Sequence, residues 1–384
     1  MDCCERSRQE ELATTNCVMN DSLSPFNSQI WANGRHLVRC ARIVRETWDV
    51  MTFCFVADES TLFFFKPGQF VTLELDIDGR QVMRSYTISS SPSLPYNFNI
   101  TVKRSPGGVV SNWLHDNLKE GQKIAVHGPT GNFNCIDFPA AKVLLLSGGV
   151  GITPVMSMAR WWFDTNAEVD IIFAHSVRTP RDIIFRQQLE LMDARISNFN
   201  LNVICERIEN GDSWHGFKGF LGEAMLLLIA PDFLDREIYC CGPKPYMRAI
   251  KLILERSGFQ MNNYHEESFG ETPAVVNSEI ADRVDQTRLE GHSGLSESEV
   301  TVGFSRSGKS VRVASECTVH AAAAKLGLFI PKACGVGVCG TCKVKKVSGE
   351  VTMNHNGGID DGEIAAGYIL SCCSFPGSDV VVEF

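Results

Sequence analysis

The 384 residues carry a net charge of −9, with 44% hydrophobic and 21% charged side chains, a composition that supports packed cores and two or three domains. The acidic balance and the lack of a long basic stretch exclude nucleic acid as a partner, and no apolar run reaches the ~18 residues of a membrane span. Fifteen cysteines suggest disulfides at first sight, but several sit in apolar runs and four form a motif of their own, so a reducing, cytoplasmic setting is expected.

In chain order, residues 1–29 read as a disordered extension. Asp2, Glu5, Arg6, Arg8, Glu10, Glu11 and Asp21 leave no apolar core for a secretory signal, and Met19 is an alternative start to Met1. Residues 30–137 alternate in short apolar runs such as Phe53-Cys54-Phe55-Val56 and Phe98-Asn99-Ile100-Thr101-Val102, divided by Pro-Gly and Asp-Gly turns. That pattern predicts a small antiparallel β-barrel.

From residue 138 the period changes. Val143-Leu144-Leu145-Leu146 leads into a glycine turn and a helix-like segment through Arg160. A second buried run at Val169-Asp170-Ile171-Ile172-Phe173, a helix over 181–192, and Glu237-Ile238-Tyr239-Cys240 follow. Strands alternating with helices predict a parallel α/β sheet over 138–270. Residues 271–299 are polar and read as a flexible linker, and 300–384 form a last, α+β domain.

In that last domain Cys334, Cys339, Cys342 and Cys372 follow the spacing C-x4-C-x2-C-x29-C. This is the plant-type [2Fe–2S] pattern and predicts a β-grasp-like ferredoxin domain. Gly335, Gly337 and Gly340 give the loop the positive φ values that wrapping a cluster demands. A zinc site is the alternative, but zinc motifs usually pair two C-x2-C units or end in histidines. The spacing selects Cys372 as fourth ligand and leaves Cys373 as a packing residue. Lys332, Lys343, Lys345 and Lys346 surround the cysteine loop, either as a solvated face or as a docking surface for an acidic partner.

Ser147-Gly148-Gly149-Val150-Gly151-Ile152-Thr153-Pro154 follows a buried strand and opens a helix, the context of a dinucleotide turn, with Gly148, Gly149, Gly151 and Thr153 as candidate contacts. Pro106-Gly107-Gly108-Val109-Val110-Ser111 is a glycine turn before a helix, which the family resemblance given below implies is a pyrophosphate turn. Gly107 and Gly108 give backbone access and Ser111 is expected to cap the helix. The glycine pair fits FAD better than FMN. Cys40, Cys54, Cys135 and Cys240 read as core, and His115 and His127 as structural.

Four segments in order resemble the ferredoxin-reductase-like flavoprotein superfamily over residues 30–270: Pro67-Gly68-Gln69-Phe70, Arg84-Ser85-Tyr86-Thr87, the Pro106 turn and Cys241-Gly242-Pro243. The resemblance implies that Arg84 and Ser85 hold the flavin phosphate side, with Arg84 forking onto an oxygen. It implies that Tyr86 lies against the flavin ring and Thr87 offers its hydroxyl near flavin N5. Cys241, Gly242 and Pro243 fall on the nicotinamide side, Arg178 on the adenosine half, and Phe269 in the segment closing the flavin's other face. Glu206 stands where NADPH users tend to place a hydroxyl and an arginine. A carboxylate there accepts from a ribose 2′-hydroxyl and repels a 2′-phosphate, favouring NADH, while the adjacent Arg207 keeps NADPH open.

Flavin, nucleotide and ferredoxin domains in that order imply an electron-transfer reductase. Trp31-Ala32-Asn33-Gly34-Arg35-His36, His265-Glu266-Glu267-Ser268-Phe269-Gly270 and Met353-Asn354-His355-Asn356-Gly357-Gly358-Ile359 further resemble the family of glycine betaine monooxygenase reductase subunits. That resemblance implies service to a Rieske-type oxygenase that converts glycine betaine to dimethylglycine and formaldehyde, and the chain is expected to be monomeric on its own. Reductases for carnitine, stachydrine or aromatic-ring oxygenases, and for a hybrid-cluster protein, look much alike and stay open.

Overall fold

The computed structural model describes residues 28–31, 34–269, 299–328, 330, 337, 340, 342–355, 359 and 361–384. The expected extension before residue 28, the expected linker apart from Glu299, and Cys334, Cys339, Lys332 and Gly335 lie outside the described residues. The chain divides into two compact units.

The first unit holds two six-stranded sheets except for Met83–Ser85 and Thr130, which group with the second unit. Strands β1 (Gly34–Arg45), β2 (Val50–Val56), β3 (Phe70–Ile77), β4 (Arg80–Thr87), β5 (Phe98–Lys103) and β6 (Lys123–Thr130) build one of them, in the order β4-β3-β6-β1-β2-β5. The Asp-Gly signal makes the β3–β4 hairpin: Asp78 and Gly79 have φ of 53° and 73°, the pair of left-handed residues a tight hairpin needs. Alternation sends Val38 and Cys40, Phe53 and Phe55, Val71 and Leu73, and Phe98, Ile100 and Val102 into one core. An antiparallel bridge from Ile88, just past β4, to Ile100 in β5 joins the two ends of the sheet order.

The second sheet is parallel: β7 (Lys142–Gly148), β8 (Asp170–Val177), β9 (Phe199–Cys205), β10 (Phe217–Lys218), β11 (Glu237–Cys241) and β12 (Tyr264–Glu267), ordered β10-β9-β8-β7-β11-β12. Val143 and Leu145 face one hydrophobic cluster and Leu144 and Leu146 the other, which is why β7 reads as an unbroken apolar run. Around these strands lie α1 (Val109–Asn117), α2 (Ile152–Asp164), α3 (Arg186–Arg195), α4 (Glu223–Ile229) and α5 (Lys244–Arg256). Helix α3 starts five residues later than the 181–192 expectation. Thr179 and Asp182 form a reciprocal capping box around a 3-10 turn at Pro180–Asp182, and Ile183 and Ile184 are spent on burial. Under the amino ends of the strands, Arg236 (4% exposed) binds Asp232, Asp170 and the carbonyls of Val143 and Asp170.

The second unit contains a five-stranded sheet made of β13 (Glu299–Phe304), β14 (Lys309–Ala314), β15 (Lys343–Ser348), β17 (Tyr368–Leu370) and β19 (Val380–Glu383), ordered β14-β13-β19-β15-β17. Strands β16 (Val351–Met353) and β18 (Ser374–Pro376) pair separately. The β13–β19 pairing is parallel and its neighbours antiparallel. Helix α6 (Val319–Lys325) is capped by Thr318, whose hydroxyl accepts from the Ala321 N–H at 3.1 Å. Val319, Ala322 and Ala323 share a core with the sheet, and a short α7 (Asp361–Ala365) precedes β17.

Candidate functional site

Strand β4 carries Arg84, Ser85, Tyr86 and Thr87. Period-two alternation puts Arg84 and Tyr86 on one face and Thr87 on the other. Tyr86 is half-buried against the barrel core and Thr87 is buried. At the next turn Gly107 has φ 69°, and no atom lies within 4 Å of the place a Cβ would take, leaving open backbone. The Ser111 expectation needs correcting. Helix α1 begins at Val109 with Gly108 at the cap position, so Ser111 lies inside the first turn. Its hydroxyl accepts from the Ser105 N–H at 3.2 Å. A side chain on Gly108 would strike that hydroxyl at 2.5 Å, so glycine there serves the fit of Ser111.

The dinucleotide turn sits at the carboxyl end of β7. The chain leaves β7 towards β8, β9 and β10 and later returns on the other side as β11, so β7 and β11 flank the point where strand order reverses, the usual ligand crevice of open α/β sheets. Gly151 lies against Cys241 and Gly242 so tightly that any Cβ would clash, and Gly148 lies against Pro243 and Tyr246. Gly148, Gly151, Cys241, Gly242 and Pro243 are therefore brought together. Gly149 has φ 54° with open space around it, backbone accessible to a phosphate. Thr153 is buried and its hydroxyl donates to the Val150 carbonyl at 3.2 Å, tightening the turn. At the ends of β8 and β9, Arg178 is exposed, and Arg207 stands 3.7 Å from Glu206 and 3.4 Å from Glu209. Glu206 and Arg207 thus hold one another side by side.

Sequence reasoning missed Glu267 as a site residue. It pairs in register with Cys241 across β11 and β12, and the Thr87 hydroxyl donates to its Oε2 at 3.4 Å. Burial pushes the Glu267 carboxyl up to about 8, only partly offset by the Thr87 hydrogen bond. Burial, then the neighbouring Glu267, pushes the Cys241 thiol well above its ordinary range. A hydroxyl, a protonated acid and a neutral thiol thus meet where the barrel strand and the nucleotide sheet come together. The available signal was its place in Glu267-Ser268-Phe269, the segment that the resemblance sets against the flavin. Phe269 is 37% exposed, so it is not packed core.

Of the four cluster cysteines, Cys342 and Cys372 are described, both buried. The Cys372 N–H points at the Cys342 sulfur at 3.4 Å, and both the N–H and the hydroxyl of Ser371 donate to the Cys342 carbonyl. Two cysteines far apart in sequence are therefore neighbours, as an iron–sulfur donor set requires. Gly337 (φ 73°) packs on the Cys373 sulfur and on His355, and Cys373 donates to the Leu370 carbonyl. Lys343 pairs with Glu363, Lys346 donates to the Gly349 carbonyl, and Lys345 lies 5.9 Å from the Tyr368 ring. These intradomain partners favour the solvated-face reading of the three lysines. His115 bonds the Val102 carbonyl and His127 pairs with Glu74, both structural roles as expected. Cys40, Cys135 and Cys240 are core and Cys54 is half-buried.

Residues 38–135 match an oxidoreductase FAD-binding domain, 145–251 an oxidoreductase NAD-binding domain, and 304–377 a 2Fe-2S iron-sulfur cluster binding domain. The chain is 63% identical over 367 residues to a glycine betaine monooxygenase reductase subunit of Pseudomonas aeruginosa, covering 96% of this chain and 100% of that one. It is 40% identical to a stachydrine N-demethylase reductase subunit of Rhizobium meliloti, over 92% of this chain and 97% of that one. Its fold is that of phthalate dioxygenase reductase, with a TM-score of 0.55 at 22% identity, covering 91% and 98% of the two chains.

Proposed function

The chain belongs to the family of FAD- and NAD-binding oxidoreductases with a C-terminal 2Fe-2S domain that includes the glycine betaine monooxygenase reductase subunits, and from this premise we propose that it supplies electrons to a Rieske-type oxygenase that N-demethylates glycine betaine. It is an NADH-dependent oxidoreductase that moves electrons through FAD to a [2Fe–2S] cluster. FAD supplies the conversion from a two-electron hydride to single electrons. The observation that carries the oxygenase and its substrate is the 63% identity over the whole length of a relative so named.

Each group has a role in this reading. Arg84 and Ser85, with the open backbone at Gly107 and Gly108, hold the phosphate side of FAD, and Tyr86 lies on the ring. Gly148, Gly149, Gly151 and Thr153 shape the NADH pyrophosphate turn, with Arg178 at the adenosine and Glu206 at the ribose. Cys241, Gly242 and Pro243 border the nicotinamide, and Phe269 covers the flavin. Thr87 and Glu267 hold a proton beside the hydride-accepting position. Cys334, Cys339, Cys342 and Cys372 ligate the cluster. Among the described residues no helix is long and apolar enough to cross a membrane, and we take the protein to act as a cytoplasmic monomer between encounters with the oxygenase.

Reconstitution decides the matter. With NADH and the oxygenase component, glycine betaine should yield formaldehyde and dimethylglycine in equal amounts. Formaldehyde from stachydrine or carnitine but none from betaine would overturn the substrate assignment. A narrower prediction concerns Glu206→Ala. It removes the like-charge penalty against a 2′-phosphate and frees Arg207 from its neighbour. The kcat/KM ratio for NADPH over NADH should rise about 5- to 30-fold, the value of ~1–2 kcal/mol of polar discrimination. An unchanged ratio would remove Glu206 from the ribose.

A further inference from the structure

Helix α2, opened by the dinucleotide turn, carries Ser157, Arg160 and Asp164 at spacings of three and four, one face of a helix. All three meet the segment that continues strand β4. The Ser157 hydroxyl donates to the Ser90 carbonyl at 2.6 Å, Arg160 Nη1 donates to the Ser89 carbonyl, and the Ser93 hydroxyl donates to Asp164. Ser89 stands two residues beyond Thr87. From the barrel side its hydroxyl pairs with Thr101 at 2.8 Å, Thr101 pairs with Thr52 at 2.8 Å, and Thr52 donates to Glu46 at 2.6 Å. The end of the strand is gripped from both sides.

Arg160 is the centre of this grip. Its Nε and Nη2 donate to Gln188 Oε1 on α3 at 3.1 and 2.6 Å, and its guanidinium lies 4.5 Å from the centre of the Phe185 ring. Phe185 is buried with φ 57°, a left-handed conformation that is strained for a non-glycine residue. Its ring forms the floor under the guanidinium and its backbone starts α3. Burial lowers the Arg160 pKa to about 10, with Glu46 and Asp164 opposing the shift from a distance, so the side chain remains a cation at neutral pH. It forms no ion pair among the described residues. A part-buried cation without a counter-ion in contact, on a strained aromatic floor and aimed at one main-chain carbonyl, is a costly arrangement for packing alone.

We propose that Arg160 is a positioning residue for hydride transfer. By fixing the Ser89 carbonyl to the helix that begins at the dinucleotide turn, it sets the separation between Thr87 and the nicotinamide-side residues. In the step it serves, the nicotinamide C4–H bond breaks with its electron pair and the hydride passes to the flavin, oxidising NADH and reducing FAD. The proposal rests on NADH-to-FAD transfer, which anaerobic bleaching of the wild type tests separately. The comparison of variants with wild type tests Arg160.

Arg160→Met and Arg160→Lys, purified with FAD and cluster, should be mixed anaerobically with NADH and followed at the flavin band and at the long-wavelength charge-transfer band. For Arg160→Met the limiting reduction rate should fall about 10- to 100-fold, as sub-ångström to ångström misplacement does. Its charge-transfer absorbance should weaken, while FAD content and the NADH Kd stay within about 2-fold because no binding group is touched. Arg160→Lys should recover part of the rate and band, since an ammonium still reaches the carbonyl. Two results would overturn the proposal. One is an FAD-replete Arg160→Met with wild-type rate and charge-transfer band. The other is parallel loss of FAD, NADH affinity and rate in both variants, which is the mark of a structural residue.

Discussion

Replacing Cys342 with serine should stop electron flow at the flavin. The variant is expected to lose its iron and the cluster absorbance, and oxygenase-coupled turnover should fall by roughly 100-fold or more, because the cluster is left one thiolate short. Flavin reduction by NADH should stay within about 2-fold of wild type, since the whole nucleotide sheet and most of the barrel belong to a different compact unit from Cys342. The choice of partner cysteine is testable in the same series. The Cys372 N–H faces the Cys342 sulfur, whereas Cys373 is turned to the Leu370 carbonyl and to Gly337. Cys372→Ser should therefore lose the cluster and Cys373→Ser should keep it. Iron analysis, visible spectra and stopped-flow bleaching supply the readouts. Loss of flavin reduction in a folded, cluster-free Cys342→Ser protein would break the modular picture.

What was legible in the sequence was local. The cysteine spacing, the glycine turn after a buried strand and the Asp78-Gly79 hairpin each place most of their signal within a dozen residues or fewer, and each reappears in the fold or in the family matches. Ser111 misled for a related reason. A serine near a glycine pair looks like a cap, but the helix starts at Val109 and the hydroxyl turns back to Ser105. The roles of Glu267 and Arg160 could not be read from the sequence because their meaning is long-range. Glu267 becomes a buried acid only when β12 docks beside β11 and Thr87 arrives from a strand 180 positions away. Arg160 reads as one more charged helix residue until Ser89, Gln188 and Phe185 converge on it.

Glu267 also carries a pH signature with a definite sign. Its carboxyl titrates near 8 in the folded protein, against 4.5 when free, so at neutral pH it is mostly protonated and uncharged. Between those two values the folded state holds a proton that the unfolded state has lost, and stability must fall as pH rises through that window. The contribution is fully present below about 4.5, declines up to about 8 and is flat above. The same ionisation acts on catalysis. A carboxylate formed beside Thr87 and Cys241 opposes the arrival of a hydride's negative charge, so the wild-type rate of flavin reduction should decline through about pH 8. Glu267→Gln keeps a neutral acceptor for the Thr87 hydroxyl and cannot ionise. It should match wild type at pH 6–7 within about 3-fold, as an uncharged near-isostere. At about pH 9.5 it should be faster than wild type by about 10-fold, the effect of ~1.4 kcal/mol of removed repulsion. Its melting temperature should also lose the downward slope between the two pKa values. Stopped-flow reduction and thermal unfolding across pH read both effects. Coincident, flat wild-type and Glu267→Gln rate profiles through pH 8 would mean that the carboxyl does not share the flavin's site, and the proton-holding role of the Thr87–Glu267 pair would fall with it.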